Sequence, residues 1–439
     1  MHTTLYWLTH DLRVDDNPAL LRAANSDRLL MVYCVDPREL HPRRYHTAQL
    51  GYGRRQFLHE GLVDLENVLQ TYQQSIHMCY GHTADELSRL IDEHNVSRLV
   101  CSRQSGSDER ATLNKLSARF TDLSIEQVDS STLFSSQALP FAVGELPPSF
   151  TPFRKVAEKQ AIAHPLAAPT ALPPSPCELN NHVILNLLKP SVPPSQALFQ
   201  GGQRAAHAHL ERYFSGDLPL HYKIVRNALD GFDNSSKFSA WLNQGSLSVR
   251  RLFHRLKDYE RNVAANESTY WLFFELLWRE YFQWHALQIG SHLFKFGGIR
   301  QPNRNPGCFY PERYQRWCAG NTPFPLVNAC MKQLLATGYM SNRGRQIVAS
   351  CLINELDMDW RYGAAWFEHH LLDYNVGANW GNWQYIAGVG ADPRGGRHFN
   401  IDKQAATYDP DGAFVRRWSP EPVQTQLDSI GIDDWPLTP

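Results

Sequence analysis

What the 439-residue chain lacks most plainly is net charge: 43 Lys and Arg against 44 Asp and Glu leave −1 at pH 7. Global electrostatics therefore gives no sign of a nucleic acid or a membrane, and any such surface has to be local. No apolar run approaches the roughly 18 to 20 residues that span a bilayer. The opening stretch MHTTLYWLTHDLRVDD is charged by residue 10, which is unlike a signal peptide. The eight cysteines, at 34, 79, 101, 177, 308, 318, 330 and 351, include no C-x-x-C pair and no His spacing suited to zinc. They argue for reduced thiols rather than a disulfide framework. These absences predict a soluble, cytoplasmic protein with no metal and no membrane attachment. Tryptophan is nearly missing from the first half: of twelve, only Trp7 precedes residue 240. Two halves so different in content are expected to do different work.

What is present sorts the same way. Residues 1–130 alternate short apolar runs (TLYWLT, RLLMVYCV, SIHMCY, SRLVCS, LSIEQV) with amphipathic stretches such as TADELSRLIDEH. Alternation of this kind predicts βαβ units and a doubly wound parallel sheet. Residues 131–200 are crowded with proline and read as an inter-domain linker draped over the surface. Residues 201–439 read as helical, and STYWLFFELLWREYFQWHALQI (268–289) is apolar on nearly every face, as a buried helix is.

Three motifs invite chemistry. Small hydroxyl residues in Asn234-Ser235-Ser236-Lys237-Phe238-Ser239 precede an apolar helix, where they either cap it or help bind an anion such as a pyrophosphate. On these residues alone the plain cap is favoured. Glu275, Trp278 and Arg279 share one helical face, as an acid beside a stacking surface or as an ordinary Glu275–Arg279 pair beside a core ring. The third is denser: Tyr339 to Gln346, then Asp373-Tyr374-Asn375-Val376-Gly377-Ala378-Asn379-Trp380-Gly381-Asn382-Trp383-Gln384-Tyr385. Amides can bond the edge of a heterocycle, and glycines permit close backbone approach to a ligand.

At these residues the chain resembles the cryptochrome/photolyase family, in its DASH branch. The likeness runs from Asp11-Leu12-Arg13 and Asp16-Asn17-Pro18 through SNRGRQ (341–346), ANWGNWQY (378–385) and DPRGGRHFNIDKQA (392–405) to Tyr408-Asp409-Pro410-Asp411-Gly412. It implies an α/β antenna domain joined to an all-α C-terminal FAD-binding domain. It also implies that light-excited FAD repairs cyclobutane pyrimidine dimers, preferentially in single-stranded DNA, where flipping the lesion costs least. Carried over by position, Tyr222, Ser235, Ser236, Phe238 and Ser239 hold the FAD phosphates and ribityl chain. Arg345, Asp373, Asn375 and Asn379 lie beside the isoalloxazine. Glu275, Trp278, Asn342, Gln346 and Tyr385 form the lesion pocket. Trp383 and Trp360 begin an electron-transfer chain. Glu109 would bind a 5,10-methenyltetrahydrofolate antenna, and Arg343, Arg394, Arg397 and Lys403 would meet DNA phosphates. The protein is expected to act as a monomer.

Three departures stand out. No tryptophan occurs near position 307, so the terminal electron donor is expected to be Trp317, Tyr310 or Tyr314. Asn375 stands where the family usually has aspartate, and Thr9 where it has arginine. The rival function is a signalling blue-light photoreceptor with little or no repair; the presence of both Glu275 and Trp278 favours the enzyme.

Overall fold

A computed structural model describes residues 2–177, 182–190, 196–300, 309–392, 394–423 and 426–428. The stretch around position 307 and Trp435 lie outside the described residues.

All five expected strands form: β1 (Thr3–Trp7), β2 (Arg28–Val35), β3 (Ile76–Tyr80), β4 (Val96–Ser102) and β5 (Ser124–Val128). They make one parallel sheet in the order β3-β2-β1-β4-β5. β1, at the centre, is buried throughout, and β2 is buried after its first residue. Near-continuous apolar runs are what a sheet covered on both faces requires. Helices such as Tyr52–Gln70 and Thr83–Glu93 provide that cover. The α/β fold expected from the alternation is therefore present.

The remainder is helical. Its central element is the 23-residue Glu267–Ile289 helix, opened by a capping box between Asn266 and Thr269. The Leu218–Val225, Val376–Ala387 and Phe150–Ala157 helices pack against it. Close packing with Val376–Ala387 depends on missing side chains: a Cβ on Gly377 would come within 2.6 Å of the Phe282 carbonyl oxygen, and one on Gly381 within 2.6 Å of the Phe282 ring. These glycines serve helix-to-helix approach, not the approach to a ligand anticipated for them.

The proline-rich stretch departs from expectation. Phe150 and Phe153 are 5% and 0% exposed and sit in the same core as Trp241, Leu277 and Trp284. Glu280 fixes the path of this segment, accepting bonds from the Leu133 and Phe134 amides at 2.8 and 3.2 Å and from Trp284 Nε1 at 2.7 Å. Phe150, Phe153 and Ala157 do fall on one face of the Phe150–Ala157 helix, but a helix of 8 residues in a proline-crowded stretch is too short for that spacing to stand out, so the sequence read it as surface.

Candidate active site

A cavity of about 510 Å3 opens in the helical half, a size suited to a cofactor or drug-sized ligand. Glu275, Trp278, Arg279 and Phe282 reach it from one face of the Glu267–Ile289 helix; Ala378, Asn379, Asn382, Trp383 and Tyr385 do so from Val376–Ala387. Steps of three and four residues put each set on one helical face. Asn342, Arg345 and Gln346 enter from the start of the Asn342–Ser350 helix, Asp373 and Asn375 from the turn before Val376, and Tyr222, Ser235, Ser236, Phe238 and Ser239 close the remaining wall. Every residue expected to bind FAD or to form the lesion pocket thus lines one cavity, as does Trp383.

Its polar groups are held firmly. Arg345 Nη2 lies 2.8 and 3.0 Å from the Asp373 carboxylate, while Arg345 Nε donates to the Met340 carbonyl at 2.9 Å. Asn243 Nδ2 donates to the Asp373 carbonyl at 2.5 Å. Asn379 Nδ2 donates to the Ala364 carbonyl at 2.9 Å, which turns the amide so that its oxygen is left as the acceptor. Asn375 Oδ1 caps its helix by accepting from the Ala378 amide at 3.0 Å.

Three local readings need correction. Glu275 does not pair with Arg279. Its carboxylate accepts from Arg226, and burial pushes its pKa up despite that cation. Arg279 instead donates to the carbonyls of Ser131 and Leu242, at 2.6 and 3.2 Å. The serines at 235 and 236 do not cap the following helix: it begins at Ser239 with Phe238 in the cap position, which has no side-chain acceptor. Trp278 stacks on Phe150 at 3.7 Å between centroids, so the supposed linker backs the pocket wall.

Outside the cavity the expected residues scatter. Trp360 is buried against Trp380, centroids 5.8 Å apart, and buried Trp317 meets Trp383 at 6.3 Å. Glu109 sits in the first turn of the Ser107–Arg119 helix, where burial raises its pKa; Thr9 receives a bond from Gln104. Arg397 pairs with Asp392 at 2.8 Å and donates to Tyr385 Oη at 2.6 Å, while Arg343 bonds Asn227 and covers the Tyr408 ring. Arg394 and Lys403 face solvent.

Sequence reasoning missed Arg226, Lys237 and Trp271, which also line the cavity. Arg226 was within reach, four residues after Tyr222 on the same helical face. Lys237 is 6% exposed, holds a left-handed φ of +56°, and directs its ammonium at Tyr339. A buried cation among three serines suits a diphosphate, apolar rings elsewhere in the lining suit a flat heterocycle, and amides suit its edge. The donor set fits FAD.

Comparison with known proteins decides the family. Residues 4–174 match the family described as DNA photolyase, and residues 271–435 match the FAD binding domain of DNA photolyase. The cryptochrome DASH of Idiomarina loihiensis is 46% identical over 438 residues, covering 99% of this chain and 96% of that one. The chain belongs to the cryptochrome DASH family. The Arabidopsis thaliana member, chloroplastic/mitochondrial, is 38% identical over 94% of this chain and 75% of its own. Among solved structures, the Synechocystis cryptochrome superposes with a TM-score of 0.88 at 38% identity, covering 96% of this chain and 89% of that one. A class III photolyase from Agrobacterium tumefaciens follows at 0.79 and 27%, covering 96% and 87%. Among the described residues, no helix is long and apolar enough to cross a membrane.

Proposed function

We propose that this DASH cryptochrome uses light to split cyclobutane pyrimidine dimers in single-stranded DNA. The carrying observation is that one cavity holds both a flavin-type donor set and, along the same walls, an acid, two aromatic faces and two amides suited to a pair of pyrimidines. Bound FAD supplies the photo-excited one-electron chemistry.

The chain's own residues do the rest. Lys237 and the serines at 235, 236 and 239 hold the phosphates. Arg345 and Asp373 hold the ring edge, and the fixed Asn379 oxygen accepts a hydrogen bond from the ring without adding charge. Trp278 and Tyr385, set edge to face at 6.1 Å, offer stacking surfaces to extruded bases. Glu275, with Asn342 and Gln346, supplies hydrogen bonds to the pyrimidine edges. Arg226 competes for Glu275 until substrate arrives. Arg394 and Lys403 reach strand phosphates, giving salt-dependent binding. Glu109 is assigned to the folate antenna, and near-ultraviolet absorption beyond that of FAD in gently purified protein tests it.

The central test is repair of dimer-containing oligothymidylate under blue light, followed by recovery of thymine absorbance, with FAD content measured in parallel. Wild type should repair single strands. Glu275→Ala should lower the yield by about tenfold or more while FAD content holds. FAD-loaded, reduced wild type that repairs nothing would shift the reading to a photoreceptor.

A further inference from the structure

The sheet half holds two thiols that no part of the proposed repair chemistry uses. Cys34 of β2 and Cys79 of β3 face each other as partners in the parallel register, so their backbones stand at the strand spacing of about 4.8 Å. That lies within the roughly 4.4 to 6.8 Å that a disulfide spans. Both side chains enter one apolar core, where they are 8% and 2% exposed, and both are free. The contact between the two sulfurs is the largest influence on either thiol: it holds Cys79 below the ordinary range and pushes Cys34 up. His77, two residues back on the same face of β3, lowers Cys79 further, while burial and the Glu86 carboxylate oppose it. The pair thus gives up one proton readily, and the thiolate left behind is the reactive form. Cys101 is the contrast. It lies in the same core at 1% exposed, on β4 with β1 between it and Cys34, and burial pushes it up to about 12.

We propose that Cys34 and Cys79 are a reversible oxidation site, which closes to a disulfide when the protein meets a peroxide. Cys34, the more exposed of the two, attacks one peroxide oxygen as the thiolate; the O–O bond breaks, the sulfur becomes a sulfenic acid and hydroxide leaves. The Cys79 sulfur then attacks the Cys34 sulfur, the S–O bond breaks and a second hydroxide leaves. Each hydroxide takes up one of the two thiol protons, so two thiols and one hydrogen peroxide give one disulfide and two waters. Access follows from position: β3 stands at one end of the strand order, and a strand paired on one side opens locally more readily than a central one. The bond would close residues 35–78 into a covalent loop, directly beneath a polar tie between the same two strands, where Asp36 accepts from the Thr83 amide at 3.2 Å. From Asp36 the chain runs on to Gly51, whose amide donates to the His369 carbonyl of the helical half at 3.1 Å. Oxidation therefore stiffens the base from which this segment crosses between the halves, and a dithiol reverses it by exchange.

The test uses the full chain, reduced, freed of reductant and exposed to a slight excess of hydrogen peroxide. Samples are quenched in acid, unfolded, alkylated and mapped by peptide mass. Wild type should yield a linked Cys34–Cys79 peptide, two hydrogens lighter than its parts, with Cys101 still alkylated, and dithiothreitol should restore both thiols. The oxidised protein should also melt about 3 °C or more above the reduced one, a gain that Cys34→Ser abolishes. Should Cys34→Ser fail to fold, the wild-type peptide map decides the matter alone. Cys34 and Cys79 both alkylated after peroxide overturn the proposal. So does Cys34 recovered as sulfinic acid beside a free Cys79, which would make the two thiols neighbours that never bond. Cys101 oxidised as fast as the pair overturns it too, since general unfolding rather than the paired geometry would then admit the oxidant. A linked peptide with an unchanged melting point overturns the stiffening and leaves the site.

Discussion

The two halves of the molecule use the same polar residue types to opposite ends. In an open α/β sheet, the ordinary ligand crevice lies beyond the carboxyl ends of the strands, where strand order reverses. Here that place is between β1 and β4, and it is plugged. Asp11, just beyond β1, accepts from Tyr6, Ser102 and the Thr9 amide. Arg13 donates to the carbonyls of Gly245 at 2.8 Å, Asp16 at 2.9 Å and Ser130 at 2.6 Å. Asp16 accepts from Ser248 and pairs with Arg250 of the helical half. Asp11, Arg13 and Asp16 are at most 2% exposed. In the helical half, Asp, Asn, Arg and Ser surround open space instead. A buried polar cluster is a site only where geometry leaves room beside it; otherwise it is a clasp.

The sharpest way to break this comparison is Arg13→Ala. It would strand three buried carbonyls that, among the described residues, answer only to that guanidinium, at a cost of about 3 kcal/mol or more. Denaturant unfolding should show the loss in the midpoint. A shift below about 1 kcal/mol would mean that the clasp holds nothing.

A smaller effect is expected where the halves meet around Arg54. There Glu39, from the sheet half, is pushed up by burial to about 8, and Glu368, from the helical half, by burial to about 7. Both values are raised above the ordinary 4.5. Their contribution to stability is therefore complete below that ordinary value and is lost as pH climbs through 7 and then 8. The thermal midpoint should fall as pH rises across that window, and Glu39→Gln with Glu368→Gln should flatten the fall. A midpoint that rises over the same range would reverse the sign and discard the explanation.

How much of this the sequence disclosed depended on period and motif. The five strands were legible because apolar runs of parallel strands alternate with amphipathic helices. The Glu267–Ile289 helix was legible because its residues are apolar all round. The cavity's lining was legible because several dense motifs share a family pattern. What escaped were partners set by contacts distant in sequence. Arg226 takes Glu275 from Arg279 across 49 residues, and Phe150 reaches Trp278 from a helix of only 8 residues inside the proline-crowded stretch. Asp11 and Arg13 belong to a matched motif, yet nothing in the motif says that its polar groups face each other rather than a ligand.

The finest discrimination concerns Asn375, which lines the cavity and caps a helix at once. As a cap its oxygen accepts from the Ala378 amide, and aspartate does this as well as asparagine. An added charge at a helix N-terminus is mildly favourable, but Asp373 is two residues away and opposes it. Asn375→Asp should therefore move stability by no more than about 0.5 kcal/mol, while Asn375→Ala, which leaves the Ala378 amide uncapped, should cost about 1 kcal/mol. Unfolding and FAD affinity measured on both variants separate the roles. If aspartate costs as much stability as alanine, capping is not what the residue does. If aspartate leaves stability alone but weakens FAD, Asn375 belongs with the pocket, and the division between clasp and cavity runs through a single side chain.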